Sequence, residues 1–272
     1  MKLLAVAAAA VTLLTPSASG VSFLRSHQLA DGSFAERGGP SSPQLTAWAV
    51  LGLRAAGTSV GQDALRYLNV HEAQLDSATD IALVALAERA LGANANDLLE
   101  RLRALERPSG SVGALVNGTA WAVLAFRAAG APVHAKTIRW LLARQNPAGG
   151  WGWNPGAADS NDTAAVVEAL SAAGSRGRPV RRALRFLLSY YRNRDGGFSL
   201  TPGRGSDAQS TAWVIQAFVA ARKLPPRGAL AYLKRLQRSD GSFRYSGRYT
   251  TTPVWVTSQV LPALARKPFP LR

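Results

Sequence analysis

Six stretches of the chain place apolar residues at helical spacing behind a threonine. The six threonines are Thr46, Thr79, Thr119, Thr163, Thr211 and Thr257. In each stretch the third, fourth and seventh positions after the threonine are apolar, which is the spacing of one stripe along an α-helix. The sixth position is always Gly or Ala, a restriction that indicates close approach between helices. The pattern therefore predicts six helices that are buried on most of their surface.

A second, more amphipathic helix is predicted before each buried one. Four of these helices lead into a glycine-containing turn that is followed by an aromatic residue. The four aromatic residues are Phe34, Trp151, Phe198 and Phe243. Glycine supplies the freedom in φ that such a turn needs, and the aromatic ring is expected to cover the helix end and seal the junction between repeats.

Repeated hairpins of this kind bury their apolar faces only by stacking on neighbouring hairpins. An open stack needs polar terminal repeats, yet the first and last buried helices are as apolar as the middle ones. The sequence therefore predicts an all-α fold, an α/α toroid of six helical hairpins. About twelve helices would form an inner and an outer layer.

The stretch "RWLLARQNPAGGWGW" is similar to the Gln-Trp motif of squalene cyclases. Together with the hairpin repeats, it resembles the squalene cyclase and prenyltransferase repeat superfamily. That superfamily includes class II terpene cyclases, the β-subunits of protein prenyltransferases and secreted cobalamin carriers. The resemblance implies the toroidal fold and leaves the function open, because one fold hosts many chemistries.

The segment "DSNDTA" is similar to the Asp-x-Asp-Asp-Thr-Ala motif of class II cyclases. The resemblance places Asp159 on the first position, Asn161 on the proton-donating acid and Asp162 on its neighbour. Protonating an alkene requires a carboxylic acid held in its protonated form, and an amide has no such proton. A cyclase would therefore have to use Asp159 or Asp162. On the structural alternative, Ser160 or Asn161 is a helix N-cap and Asp162 a favourable first-turn charge.

Polar residues at the starts of the buried helices are expected to form a belt, because in a toroid all inner helices begin at the same end. The sequence also places two polar residues one turn further in, Glu168 and Gln216, which should be neighbours. An apolar shaft with convergent polar groups is typical of a small-molecule site, unless Glu168 and Gln216 face outward towards an arginine. The predicted ligand-binding set is Asp80, Asn117, Asp159, Asn161, Asp162, Glu168, Asp207, Gln209, Gln216 and Trp255.

Composition narrows the function classes. The 272 residues carry a formal charge of +16 and contain no cysteine, which excludes disulfides and the Asp, Cys and His zinc set of protein prenyltransferases. The three histidines do not cluster in sequence, so no metal and no other cofactor is predicted. Nucleic acid is not an expected partner, since no recognition module is visible.

Residues 1–20 have the pattern of a secretory signal peptide, with Lys2 before a short apolar run and small residues at the end. Residues 21–272 are predicted to form a single toroid with no transmembrane segment. We therefore expect a secreted or envelope-associated protein, whose positive charge would favour anionic envelope polymers.

The leading hypothesis is an exported, non-catalytic protein that binds an isoprenoid-like or other amphipathic ligand, or an envelope glycan, in an axial pocket. One alternative is an enzyme, either a class II terpene cyclase or a carbohydrate-active enzyme that pairs Asp159 or Asp162 with Asp207. A second alternative is a basic repeat scaffold that binds the envelope.

Overall fold

The computed structural model describes residues 18–154 and 157–271, and the side chain of Asn154 is outside this description. The predicted signal peptide, residues 1–20, lies outside the described residues except for its last three, which form the first turn of a helix. Among the described residues, no helix combines the length and the apolar character that crossing a bilayer requires.

Two layers of helices alternate along the chain, as the hydrophobic pattern predicts. The inner helices are α2 (Pro43–Ala55), α4 (Ala78–Ala90), α6 (Val116–Ala128), α8 (Ser160–Ala172), α10 (Ala208–Ala220) and α12 (Pro253–Ala265). The outer helices are α1 (Ala18–Arg25), α3 (Gln62–Val70), α5 (Asn96–Ala104), α7 (Ala135–Ala143), α9 (Arg178–Tyr190) and α11 (Ala229–Arg235). A 3₁₀ turn spans Glu72–Gln74. Strands β1 (Trp151–Asn154) and β2 (Ala157–Asp159) form a small antiparallel hairpin that the all-helical prediction did not include.

The inner helices form a closed ring. Each contacts the next in chain order, and α12 contacts α2. Gly52 of α2 lies so close to α12 that a Cβ atom at this position would meet the carbonyl oxygen of Ser258 at 2.7 Å. Glu36, in the loop before α2, accepts hydrogen bonds from the backbone N–H groups of Val254 and Trp255 and so caps α12. The α/α toroid is therefore confirmed, with its seam between the first and last inner helices.

The repeat threonines tie each inner helix to the turn before it. The Thr163 hydroxyl accepts a hydrogen bond from the backbone N–H of Trp151 (2.9 Å) and donates one to the Trp151 carbonyl (3.0 Å). Thr46, Thr211 and Thr257 accept in the same way from the buried aromatics of their own repeats, and Thr119 accepts from Val112. The aromatic turns and the threonines thus form one structural unit, in which the hydroxyl satisfies a buried backbone donor.

One threonine was assigned to the wrong register. Thr46 is the fourth residue of α2, but Thr79 is the second residue of α4, and Ile81 occupies the fourth position. The hydroxyl of Thr79 donates to Oδ1 of Asn117, 3.2 Å away. The prediction failed here because Thr79 is also followed by apolar residues at the third, fourth and seventh positions, whereas the true register, counted from Ile81, places buried Glu88 at the seventh position.

The axis of the ring is filled rather than open. Trp48, Trp121 and Trp213 pack edge to face, with ring centroids 5.3–5.9 Å apart. From the C-terminal tail, Phe269 enters between them and lies 6.1 Å from Trp48 and 5.9 Å from Trp121, centroid to centroid. The expected apolar shaft is therefore blocked, and the accessible space lies at its ends.

Candidate active site

One cavity lies at the end of the ring where all six inner helices begin. It has a volume of about 560 Å³, within the range of small-molecule sites. Every inner helix contributes at least one residue from its first turn, among them Gln44, Thr79, Asn117, Asn161, Gln209 and Trp255. The three packed tryptophans, Leu83 and Gln259 also line it. The cavity is thus polar at its rim and aromatic below, a shallow site rather than the expected deep shaft.

Seven of the ten predicted ligand-binding residues line this cavity. They are Asp80, Asn117, Asp159, Asn161, Asp162, Gln209 and Trp255. The structure also brings in Trp153 of β1, whose side chain is 66% exposed, together with Leu115 and Leu200. The sequence carried no signal for these three, because they lie on loops and on the hairpin outside the helical repeat.

Glu168 and Gln216 do not line the cavity, contrary to prediction. They lie near the other end of α8 and α10, and both are buried. Oε2 of Glu168 accepts a 2.8 Å hydrogen bond from the backbone N–H of Phe269 in the tail. Burial raises the pKa of Glu168 to about 8, so this carboxyl is mostly protonated at neutral pH.

Asp207 is also absent from the cavity. It is the N-cap of α10, where Oδ1 accepts from the N–H of Ser210 (2.7 Å) and Oδ2 from the Ser210 hydroxyl (2.9 Å). Both carboxylate oxygens are therefore occupied by the helix that they cap. Pairing Asp207 with Asp159 or Asp162 for glycan cleavage is not supported by this arrangement.

The "DSND" segment combines a helix cap with the rim of the cavity. The N-cap of α8 is Asp159, not Ser160 or Asn161, and its Oδ1 accepts from the N–H of Asp162 at 2.8 Å. The sequence argument placed the cap one or two residues too late, because Ser160 and Asn161 are equally good capping residue types. Asn161 lies in the first turn of the helix and faces the cavity.

Half-buried Asp159 and buried Asp162 form a carboxyl pair. Burial raises the pKa of Asp159 to about 7, and repulsion from Asp162 adds to the effect. Burial also raises the pKa of Asp162, but the side-chain amide of Asn117, 2.7 Å from its Oδ1, favours the charged form. The two environments differ, so near neutral pH the pair can hold one proton, with Asp159 as the better proton carrier.

The comparisons with known proteins find similarity to enzymes of terpenoid synthesis. No protein-family model matches the chain. Over 135 residues the chain is 36% identical to the drimenyl diphosphate synthase of Streptantibioticus cattleyicolor, covering 47% of this chain and 25% of that protein. It is also 36% identical over 163 residues to the drimenyl diphosphate synthase of Streptomyces showdoensis, covering 55% of this chain and 30% of that protein. The matches thus span less than a third of the length of these curated relatives.

Solved structures show the fold. The type II terpene cyclase MstE from Scytonema superposes with a TM-score of 0.70 at 16% identity, covering 91% of this chain and 95% of that chain. The ent-copalyl diphosphate synthase from Streptomyces platensis gives 0.62 at 20% identity, covering 82% of this chain and 50% of that one. The chain therefore has a terpenoid cyclase-like α/α toroid fold.

These comparisons correct the leading hypothesis. The two relatives named above are drimenyl diphosphate synthases and the two solved structures named above are class II terpene cyclases, so the hypothesis of a non-catalytic binding protein is wrong. They favour the alternative, a catalytic terpene cyclase. A glycan ligand gains no support from any of these relatives.

Proposed function

We propose that the chain carries the acid site of a class II terpene cyclase and initiates cyclisation of an isoprenoid by protonating it. The observation that carries the proposal is the pair of half-buried Asp159 and buried Asp162, two carboxyl groups with raised pKa values at the rim of a cavity with tryptophans below it. A related structure of MstE contains geranylgeranyl dihydroxybenzoate as substrate, which supports an isoprenoid as the substrate class.

The proton donor in this proposal is Asp159. The π electrons of a substrate double bond take the proton from its carboxyl group, which leaves a carboxylate on the protein and a carbocation on the substrate. Attack by a second double bond closes a ring and moves the positive charge, and loss of a proton to a base ends the reaction. A carboxyl group with a pKa near 7 is protonated in a large fraction of molecules at neutral pH, which this role requires.

Two neighbouring features assist this step. Asn117 stabilises the charged form of Asp162 by its hydrogen bond, so the proton of the pair stays on Asp159. Trp48, Trp121 and Trp213 present aromatic rings to the cavity, and such rings stabilise nearby positive charge. Packing and carbocation stabilisation are compatible here, because the same three rings pack against each other and line the cavity.

Turnover of the full chain with squalene and with geranylgeranyl and shorter prenyl diphosphates, followed by mass spectrometry for cyclised products, tests the proposal. We expect Asp159→Asn to lower the rate by at least about 100-fold, the usual contribution of a positioned acid. Asn161→Asp is expected to leave the rate within a few-fold or raise it, because it restores the acid of the related motif. Gln44→Ala, a rim residue away from the pair, is the matched control. Wild-type turnover that survives Asp159→Asn and Asp162→Asn together would refute the acid role.

We also propose that the protein is exported, which rests on the pattern of residues 1–20 alone. Since α1 begins at Ala18 and Gly20 is buried, cleavage before Ala18 would leave this helix whole. The mass of the mature chain from the culture medium tests both export and the cleavage position.

A further inference from the structure

A second cavity lies at the opposite end of the ring, where α8, α10 and α12 end. Its volume is about 300 Å³, and the Trp48–Trp121–Trp213 cluster and Phe269 separate it from the first. Four cationic residues line it: Arg176, Arg222, Arg266 and Lys267. None of its lining residues in the described part of the chain is acidic. Four like charges around one small space repel one another unless an anion is present.

The four cationic side chains are not hydrogen-bonded to the carbonyl groups at the ends of the helices near which they lie. The negative end of a helix attracts cations, and Arg54 and Arg127 show the usual result, since each donates through Nε to a carbonyl at the end of the next inner helix. The side chains of the four lining cations make no hydrogen bond or ion pair within the described residues. The carbonyl groups at these helix ends accept hydrogen bonds from backbone N–H groups instead. For example, the N–H of Lys223 donates to the carbonyl oxygen of Phe218.

The backbone conformation of Arg222 is a second sign of a dedicated role. Gly57, Gly92, Gly130 and Gly174 follow the C-caps of α2, α4, α6 and α8, all with positive φ. Arg222 occupies the equivalent position after α10 with φ 58°, a left-handed conformation that is strained for any residue with a Cβ atom. Arg266 of the same cavity is also left-handed, with φ 52°. Strained backbone of this kind accumulates at functional sites.

A buried polar group in the wall of the cavity lacks a partner. Ser171, in the last turn of α8, is 2% exposed, and its hydroxyl oxygen is buried with no hydrogen-bond partner in the described residues. Since buried hydroxyl groups are nearly always hydrogen-bonded, an unpartnered one that lines a cavity points to a ligand atom.

From these observations we infer that the basic cavity between α8, α10, α12 and the tail is an anion site for a phosphate or diphosphate group. The anion would lie among the four cations and accept a hydrogen bond from the Ser171 hydroxyl. This inference does not rest on the proposed cyclisation, because the two cavities share no lining residue and the test measures binding rather than turnover.

Calorimetric titration of the full chain with inorganic diphosphate at low ionic strength tests the inference. Arg266→Gln and Ser171→Ala are each expected to weaken binding by about 10-fold or more, the usual effect of losing a hydrogen bond to a charged group. Arg181→Gln on the exposed surface of α9 removes the same charge and is the matched control, with an expected change below about twofold.

Arg222→Gly separates function from stability. The glycine relieves the left-handed strain, so the midpoint of thermal unfolding should rise by about 1–3 °C while diphosphate binding weakens. A variant that is more stable yet binds less tightly is not explained by damage to the fold. Absence of diphosphate binding, or equal weakening by Arg181→Gln, would overturn the inference.

The source of the anion is distinguished by competition. A prenyl diphosphate that displaces inorganic diphosphate, when the prenyl alcohol does not, identifies a lipid-linked headgroup as a ligand. A site that binds inorganic diphosphate but is not reached by the prenyl diphosphate serves the free anion. Either result supports the site and defines its ligand.

Discussion

The side-chain amide of Asn117 on α6 donates a 2.7 Å hydrogen bond to Oδ1 of Asp162 on α8. Oδ1 of Asn117 in turn accepts from the hydroxyl of Thr79 on α4, 3.2 Å away. Three successive inner helices are thus linked by side chains at the rim of the candidate active site. The link orients the amide so that its N–H group, and not its oxygen, faces the carboxyl group of Asp162.

Asn117→Ala should destabilise the protein by about 1–3 kcal/mol, since it leaves the buried carboxyl of Asp162 without its donor. The pKa of Asp162 should rise further, because the hydrogen bond favours the charged form. Denaturant unfolding measures the loss of stability. Gln44→Ala, at the equivalent place on α2, should change stability by less than about 0.5 kcal/mol, and an equal loss in both variants would contradict the role of the bond.

Glu168→Gln should stabilise the protein at alkaline pH. The pKa of this carboxyl rises on folding from its ordinary 4.5 to about 8 because of burial. The folded chain therefore holds a proton that the unfolded chain has released, and stability falls as the pH rises through this range. The glutamine keeps an acceptor for the N–H of Phe269 and cannot ionise, so the gain should approach about 5 kcal/mol at pH 9, the equivalent of this pKa shift, and vanish near pH 4.5.

Thermal unfolding of both proteins between pH 4.5 and pH 9 measures this difference. Glu100→Gln makes the same substitution at an exposed site on α5 and is the matched control. Parallel curves for wild type and Glu168→Gln would show that Glu168 does not carry the proton.

Thr163→Val should cost about 1–3 kcal/mol, because the hydroxyl both accepts from and donates to the backbone of buried Trp151. Thr79→Val, at the rim, should cost distinctly less, because Thr79 bonds only the side chain of Asn117 and is partly exposed. The midpoints of denaturant unfolding of the two variants, each compared with wild type, measure the two losses of stability. Similar losses would show that the backbone hydrogen bonds of Thr163 do not account for its contribution to stability.

Gly52→Ala should destabilise the seam of the ring by about 1–3 kcal/mol. The added methyl group would meet the carbonyl oxygen of Ser258 on α12 at 2.7 Å, and overpacking of this kind forces the helices apart. Gly247→Ala is the control, since a Cβ atom there meets nothing within 4 Å and its φ is not positive. Calorimetric unfolding of both variants tests the prediction, and equal midpoints would show that the seam can relax.

The toroid could be predicted because the sequence features that indicate it recur along the chain. Five threonines, the small residues that follow them and the aromatic turns each recur with helical spacing, so one misassigned repeat at Thr79 did not change the fold. The rim residues Asn117, Asn161 and Gln209 were found for the same reason, since the second residue faces the cavity in five of the six inner helices.

The features that were missed depend on single contacts rather than on a repeated pattern. Nothing in the sequence near Phe269 indicates that the tail enters the ring and bonds Glu168. The cyclase interpretation was kept only as an alternative, because Asn161 occupies the acid position of the related motif. The comparisons favour it over the binding hypothesis, and the different environments of Asp159 and Asp162 could not be predicted from the sequence because they depend on burial and on the Asn117 hydrogen bond.

The seam between α2 and α12 also bears on the order of events during synthesis. Helix α2 emerges from the ribosome some two hundred residues before α12. One flank of α2 therefore stays uncovered until α12 has been synthesised. Pairing over such a separation closes slowly, and apolar surface left uncovered in the meantime invites aggregation. We therefore expect chaperones of nascent chains to bind the incomplete ring and to release it once α2 packs against α12 at Gly52 and Ser258.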